Sequence, residues 1–93
     1  MDRETKELLK RADQNLIALL RAGLDLGFTF ARTAEIEAGA QNQEDFKRAL
    51  EKVEMALGAV HRFESRILDL EARQDLQKCA TELEKLIRTL GPA

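Results

Sequence analysis

The chain has 93 residues, with 15 Lys and Arg against 17 Asp and Glu, a hydrophobic share of 44%, and four Phe as its only aromatics. That hydrophobic share with a net charge of −2 argues against disorder, which needs few apolar residues or a large charge imbalance. The length fits one domain over residues 1–93. No uncharged stretch approaches the roughly 20 residues of a membrane span, and no basic face or aromatic platform offers itself to nucleic acid.

Ala, Leu, Glu, Lys, Arg and Gln dominate, and these are the strong helix formers. Apolar residues recur at steps of three and four nearly from end to end, which predicts an all-α chain. The first helix starts near Asp2 to Thr5, either of which can cap it. It carries two apolar stripes. One reads Leu9, Ala12, Leu16, Leu19, Gly23, Leu26, Phe30; the other reads Leu20, Leu24, Gly27, Ala31, Ala34, Ala38. Two stripes predict partners on two sides. Gly39 suits the position after a helix end, giving a helix of roughly 36 residues, about 54 Å long. Gly23 and Gly27 each weaken its middle by about 1 kcal/mol relative to Ala. A kink or break there, giving four helices, is the alternative.

Asn42 is the next cap, with Glu44 and Asp45 on the positive end of the helix it starts. A seam of Phe46, Ala49, Val53, Ala56, Val60, Phe63, Ile67 and Leu70 follows in heptad spacing, with Leu50 and Leu57 widening it. Glu44 and Arg48 form an i,i+4 ion pair on this helix. After Leu70 the apolar phase slips to Leu76, Cys79/Ala80, Leu83, Leu86/Ile87 and Leu90. The slip predicts a tight turn or sharp kink around residues 69–74, with Asp69 capping a third helix; one continuous curved helix is the alternative. Gly91-Pro92 ends that helix.

Three helices with short connections predict an antiparallel, up-down-up three-helix bundle. The first helix is much longer than the other two, so part of its apolar surface has no cover within one chain. A homodimer is the simplest remedy. Leu20, Leu24, Gly27, Ala31 and Ala34 are the interface candidates, because small residues there let two copies approach closely.

The sequence carries little site chemistry. His61 is the one histidine. It sits in Val60-His61-Arg62-Phe63-Glu64-Ser65-Arg66-Ile67, and the order His, any, apolar, any, Ser, any, apolar resembles the phosphoacceptor box of sensor-kinase dimerisation hairpins. The resemblance covers about seven residues and implies His61 as phosphoacceptor. That family places an acid directly after the histidine and a Pro later in the box; here Arg62 takes the first place and no Pro is present. The segment from Phe46 to Leu57 resembles the second helix of a tetratricopeptide repeat over about a dozen residues, with Val53 in place of an aromatic. A heptad seam accounts for the same spacing, and no 34-residue period accompanies it.

A di-iron or zinc site lacks a second histidine, and Cys79 falls beside Ala80 on the apolar face as a small buried residue. No phosphate loop or catalytic triad can be placed, and a bundle this small leaves little room for a substrate pocket. No enzyme activity, cofactor, metal or small-molecule substrate is expected. The N-terminus is charged with both signs, unlike a secretory signal or transit peptide, and a lone Cys makes no internal disulfide. Together these predict a cytoplasmic, non-catalytic protein–protein interaction module that self-associates. The alternative is a phosphorelay-like domain using His61.

Overall fold

Asp2 opens the first helix by accepting the Thr5 N–H on its side chain at 2.7 Å, which satisfies one of the donors a helix start leaves free. In the computed structural model, which describes residues 2–39 and 42–90, this helix is α1 (Arg3–Gly39), followed by α2 (Gln43–Phe63), a single 3-10 turn (Glu64–Arg66) and α3 (Leu70–Thr89). Among the described residues there is no strand, and the three helices pack together. The Gly91-Pro92 stop lies outside the described residues; α3 closes on Leu90, whose N–H donates to the Ile87 carbonyl at 3.2 Å.

The Thr5 N–H, and after it the Thr5 hydroxyl, hold the Asp2 carboxyl below the ordinary aspartate value of 3.8. A carboxyl depressed by folding contributes stability above its unfolded value and loses it as pH falls through the folded one. The Thr5 amide resonance is therefore expected to titrate with a midpoint below 3.8. A midpoint at or above that value would remove Asp2 as the cap.

α1 runs unbroken through Gly23 and Gly27, so the four-helix alternative is not the fold. Neighbouring helices outweigh the weakness of two glycines. Its 37 residues span about 56 Å at 1.5 Å per residue, and the molecule's longest dimension is 58 Å. α2 and α3 are 21 and 20 residues long, about 30 Å each, so neither covers α1 from end to end. Every residue from Arg3 to Ala12 is exposed. This first stretch of α1 is an arm projecting past the packed region.

The core lies between all three helices. Leu20, Leu24 and Ala31 of α1 cluster with Val53, Leu57 and Val60 of α2 and Leu76, Ala80 and Leu83 of α3. A smaller cluster joins Ala34 to Phe46 and Ala49. At Gly27 α1 lies close to both neighbours. A Cβ built there meets Leu83 Cδ2 at 2.7 Å and Ala56 Cβ at 3.4 Å.

Asn42 caps α2, accepting the Asp45 N–H. The expected Glu44–Arg48 pair is replaced by Arg48 with Asp45 at 3.9 Å, an exposed contact of little energetic weight. α2 also stops earlier than the seam implies. It ends at Phe63, and Ile67 is extended at φ −74°, ψ 122°. Leu70, the seam's expected last residue, is 60% exposed. The turn therefore falls at residues 64–69, not 69–74. Three side chains take up the backbone groups released there. Arg73 donates to the carbonyls of Ile67 and Ser65. Asp69 caps α3 through the Ala72 N–H at 3.1 Å. Asp13 of α1 accepts the N–H groups of Leu68 and Asp69 at 2.7 and 3.1 Å. Phe63, expected mid-seam, is instead the last residue of α2 and only half-buried, with Arg66 stacked 5.1 Å from its ring centre.

Asp13 ties the α2–α3 connection to α1 with two charge-assisted hydrogen bonds. Such bonds contribute about 1.5–3 kcal/mol each when sheltered; here water can replace the acceptor, because Leu68 and Asp69 are exposed. Asp13→Ala is expected to lower stability by about 1–3 kcal/mol, and Asp13→Asn, which keeps one acceptor oxygen, by roughly half of that. Urea midpoints would measure both. Unchanged midpoints would mean that burial of Ile67 and the Arg73 hydrogen bonds hold the connection without Asp13.

Candidate interaction surface

The five interface candidates, Leu20, Leu24, Gly27, Ala31 and Ala34, are all buried within the single chain. This corrects the expectation that they form the exposed half of α1. Small residues let α2 and α3 reach the α1 backbone at once, as the contacts around Gly27 show. Ala31 is 1% exposed, so Ala31→Arg would break the core and would not report on assembly.

The exposed apolar surface of α1 lies on the other stripe and beyond it. Leu8, Leu19 and Leu26 are 64, 69 and 57% exposed. Leu19 follows Leu8 by three helical turns, and Leu26 follows Leu19 by two, so the three leucines stand in one line. Ala12 and Ala22 are exposed between them, and the full spacing Leu8, Ala12, Asn15, Leu19, Ala22, Leu26 alternates fours and threes. Farther along, Thr29 and Thr33 donate their hydroxyls to the carbonyls of Asp25 and Thr29, which leaves their methyl groups as the free part. Leu8 belongs to neither stripe read from the sequence. Its signal is the unbroken 4-3 spacing.

A second apolar feature sits where the arm leaves the packed region. Leu9, Asp13 and Ile17 line a shallow depression with Leu68, which is itself 69% exposed. On α2, Met55, Ala59 and Phe63 line another shallow groove with Glu51 and Glu54.

His61 faces Glu84 of α3, with Nε2 and Oε1 2.8 Å apart, and the histidine is largely exposed. The two residues are 23 positions apart, too far for any local pattern to link them. An acidic side chain from another helix thus stands beside His61. Cys79, expected on the apolar face, is exposed. Ala80 takes the core position, and one step along a helix turns the neighbouring side chain by about 100°. Among the described residues no group of three or more His, Cys, Asp or Glu stands close enough to hold a metal, and no helix is long and apolar enough to cross a membrane. The chain matches no protein-family model, no curated protein and no solved structure.

Proposed function

We propose that the chain is a non-catalytic helical protein–protein interaction module, one domain over residues 1–93, that forms a homodimer in the cytoplasm. We also read its three helices as an antiparallel, up-down-up bundle. Contact order supports this: Phe46 and Ala49 meet Ala34, Lys52 lies over the Phe30 ring and Ala56 borders Gly27. As residue numbers rise along α2, those of their α1 neighbours fall.

The observation that carries self-association is the line Leu8, Leu19, Leu26, together with an arm on which every residue from Arg3 to Ala12 is exposed. Contiguous exposed apolar surface marks contact sites, and the exposed Ala12 and Ala22 connect these three leucines into one line. Light scattering across a concentration series tests it. The mass is expected to rise to twice the 10.5 kDa of one chain, and Leu19→Glu is expected to hold it at the single-chain value with helical circular dichroism unchanged. A single-chain mass for the unsubstituted protein at every concentration would overturn the proposal.

The pairing of His61 with Glu84 favours a second reading, a phosphoacceptor centred on His61. With Glu84 on Nε2, the other ring nitrogen can attack the phosphorus of phosphoramidate, breaking its P–N bond and releasing ammonia, while Glu84 takes the Nε2 proton. Incubation with phosphoramidate, followed by intact mass, tests it. A phosphoryl adduct that disappears in His61→Gln supports the second reading, and no adduct in the unsubstituted chain removes it.

A further inference from the structure

We infer that two copies pair through the outward line of α1, running in opposite directions, with the two-fold axis level with Ile17. This rests on the self-association proposed above and assigns it a surface, an orientation and a register. In this register Leu8 lies opposite Leu26 of the second copy, Ala12 opposite Ala22, and Asn15 opposite Leu19. Leucine layers close the two ends, and an alanine layer next to each lets the helices approach. The two Asn15 amides flank the axis, and a polar residue at such a seam position fixes register at some cost in stability.

Charge selects this register. The residues bordering the line on its solvent side are Glu4, Arg11, Ala18, Asp25 and Arg32, seven apart. In an antiparallel pair these positions face their counterparts on the other helix. With the axis at Ile17, Arg11 faces Asp25 of the second copy and Glu4 faces Arg32, and symmetry gives each pair twice. Moving the register by one heptad brings Arg11 against Arg32 in one direction and Glu4 against Asp25 in the other, and both are repulsive. A parallel, in-register pair sets Glu4, Arg11 and Asp25 beside Leu9, Leu16 and Phe30. All four charged residues are exposed. Among the described residues the ion pairs within the chain are Arg48–Asp45 and His61–Glu84, so these four have no partner of their own.

The arm fits the same arrangement. Lys52 over Phe30 and Ala56 beside Gly27 put α2 along the C-terminal part of α1. About the chosen axis, that part of one copy lies level with the arm of the other. Each arm, Arg3–Ala12, then runs beside the half of the second copy that carries α2, and the two α2 helices occupy opposite ends without overlap.

The test is a pair of charge reversals, Arg11→Glu and Asp25→Arg, each at an exposed position, with circular dichroism confirming that each variant folds. Sedimentation equilibrium is expected to show each variant alone dimerising about tenfold more weakly than the unsubstituted chain, because two attractive pairs per dimer become repulsive. Mixing the two variants is expected to restore the original affinity. In the mixed dimer the introduced glutamate of one chain stands against the introduced arginine of the other, and on the opposite side the native Asp25 faces the native Arg11. If the unsubstituted chain dimerises but the reversals have no effect, or mixing does not rescue, this register is overturned while self-association stands. If the unsubstituted chain never dimerises, self-association falls with it.

Discussion

Leu83→Ala is expected to cost about 2–5 kcal/mol, the range for truncating a fully buried leucine, out of roughly 5–14 kcal/mol for a domain of this size. Leu83 is 0% exposed, and its Cδ2 is the atom a Cβ on Gly27 would strike at 2.7 Å. The two positions are therefore coupled, and a double-mutant cycle reads the coupling. Gly27→Ala alone gains about 1 kcal/mol of helix propensity but overpacks the site at a cost of about 1–3 kcal/mol, so the net effect is neutral to destabilising. In the Leu83→Ala background the clashing atom is gone and the added methyl enters the space it left. Gly27→Ala is then expected to be stabilising. Thermal or urea unfolding of the four proteins measures this, and additive effects would show that α3 does not press on α1 at Gly27.

The second large effect is expected at Ile67. The residue lies in an extended connection, yet it is 0% exposed and joins the core cluster of all three helices. Ile67→Ala is expected to cost about 2–5 kcal/mol, as much as a substitution in a helix core. Its neighbour Leu68 is 69% exposed, so Leu68→Ala is expected to change stability by no more than about 0.5 kcal/mol. A similar midpoint shift for both variants would mean the connection does not anchor the core through Ile67.

The three helix starts are legible in the sequence because each cap is local. Asp2, Asn42 and Asp69 each accept the N–H three residues ahead, which any short window of sequence contains. The end of α2 is not legible. Its decisive partners are Asp13, 55 residues before Leu68, and Arg73, which folds back onto the Ile67 carbonyl. No periodicity encodes a carboxylate arriving from another helix, so the apolar seam reads straight on through Ile67 to Leu70. The two stripes of α1 are visible in its spacing, but spacing says only that faces exist, not which one meets a neighbour. Smallness at Gly27, Ala31 and Ala34 suggests a place for a second copy. The same smallness serves an intramolecular need, because α1 touches two helices at once. The candidate line through Leu8 is visible in part, since Leu19 and Leu26 belong to the stripe that is largely exposed. Glu84 beside His61 has no local signature at all.

The arm at Arg3–Ala12 has a thermodynamic consequence of its own. A peptide of about ten residues does not hold a helix in water, because the first turn fixes several residues for a single hydrogen bond, and isolated helices need about 12–15 residues to be even marginal. The arm escapes this barrier because its nucleus already exists: the packed part of α1 begins at Asp13, and each further turn only propagates from it. Order in the arm is thus borrowed from the core and decays toward Asp2, whose cap holds the far end. Any substitution that loosens the core near Leu20 and Leu24 is transmitted outward as fraying of residues that touch nothing there. The dependence runs one way: the core can stand while the arm frays, but helix in the arm cannot outlast the core.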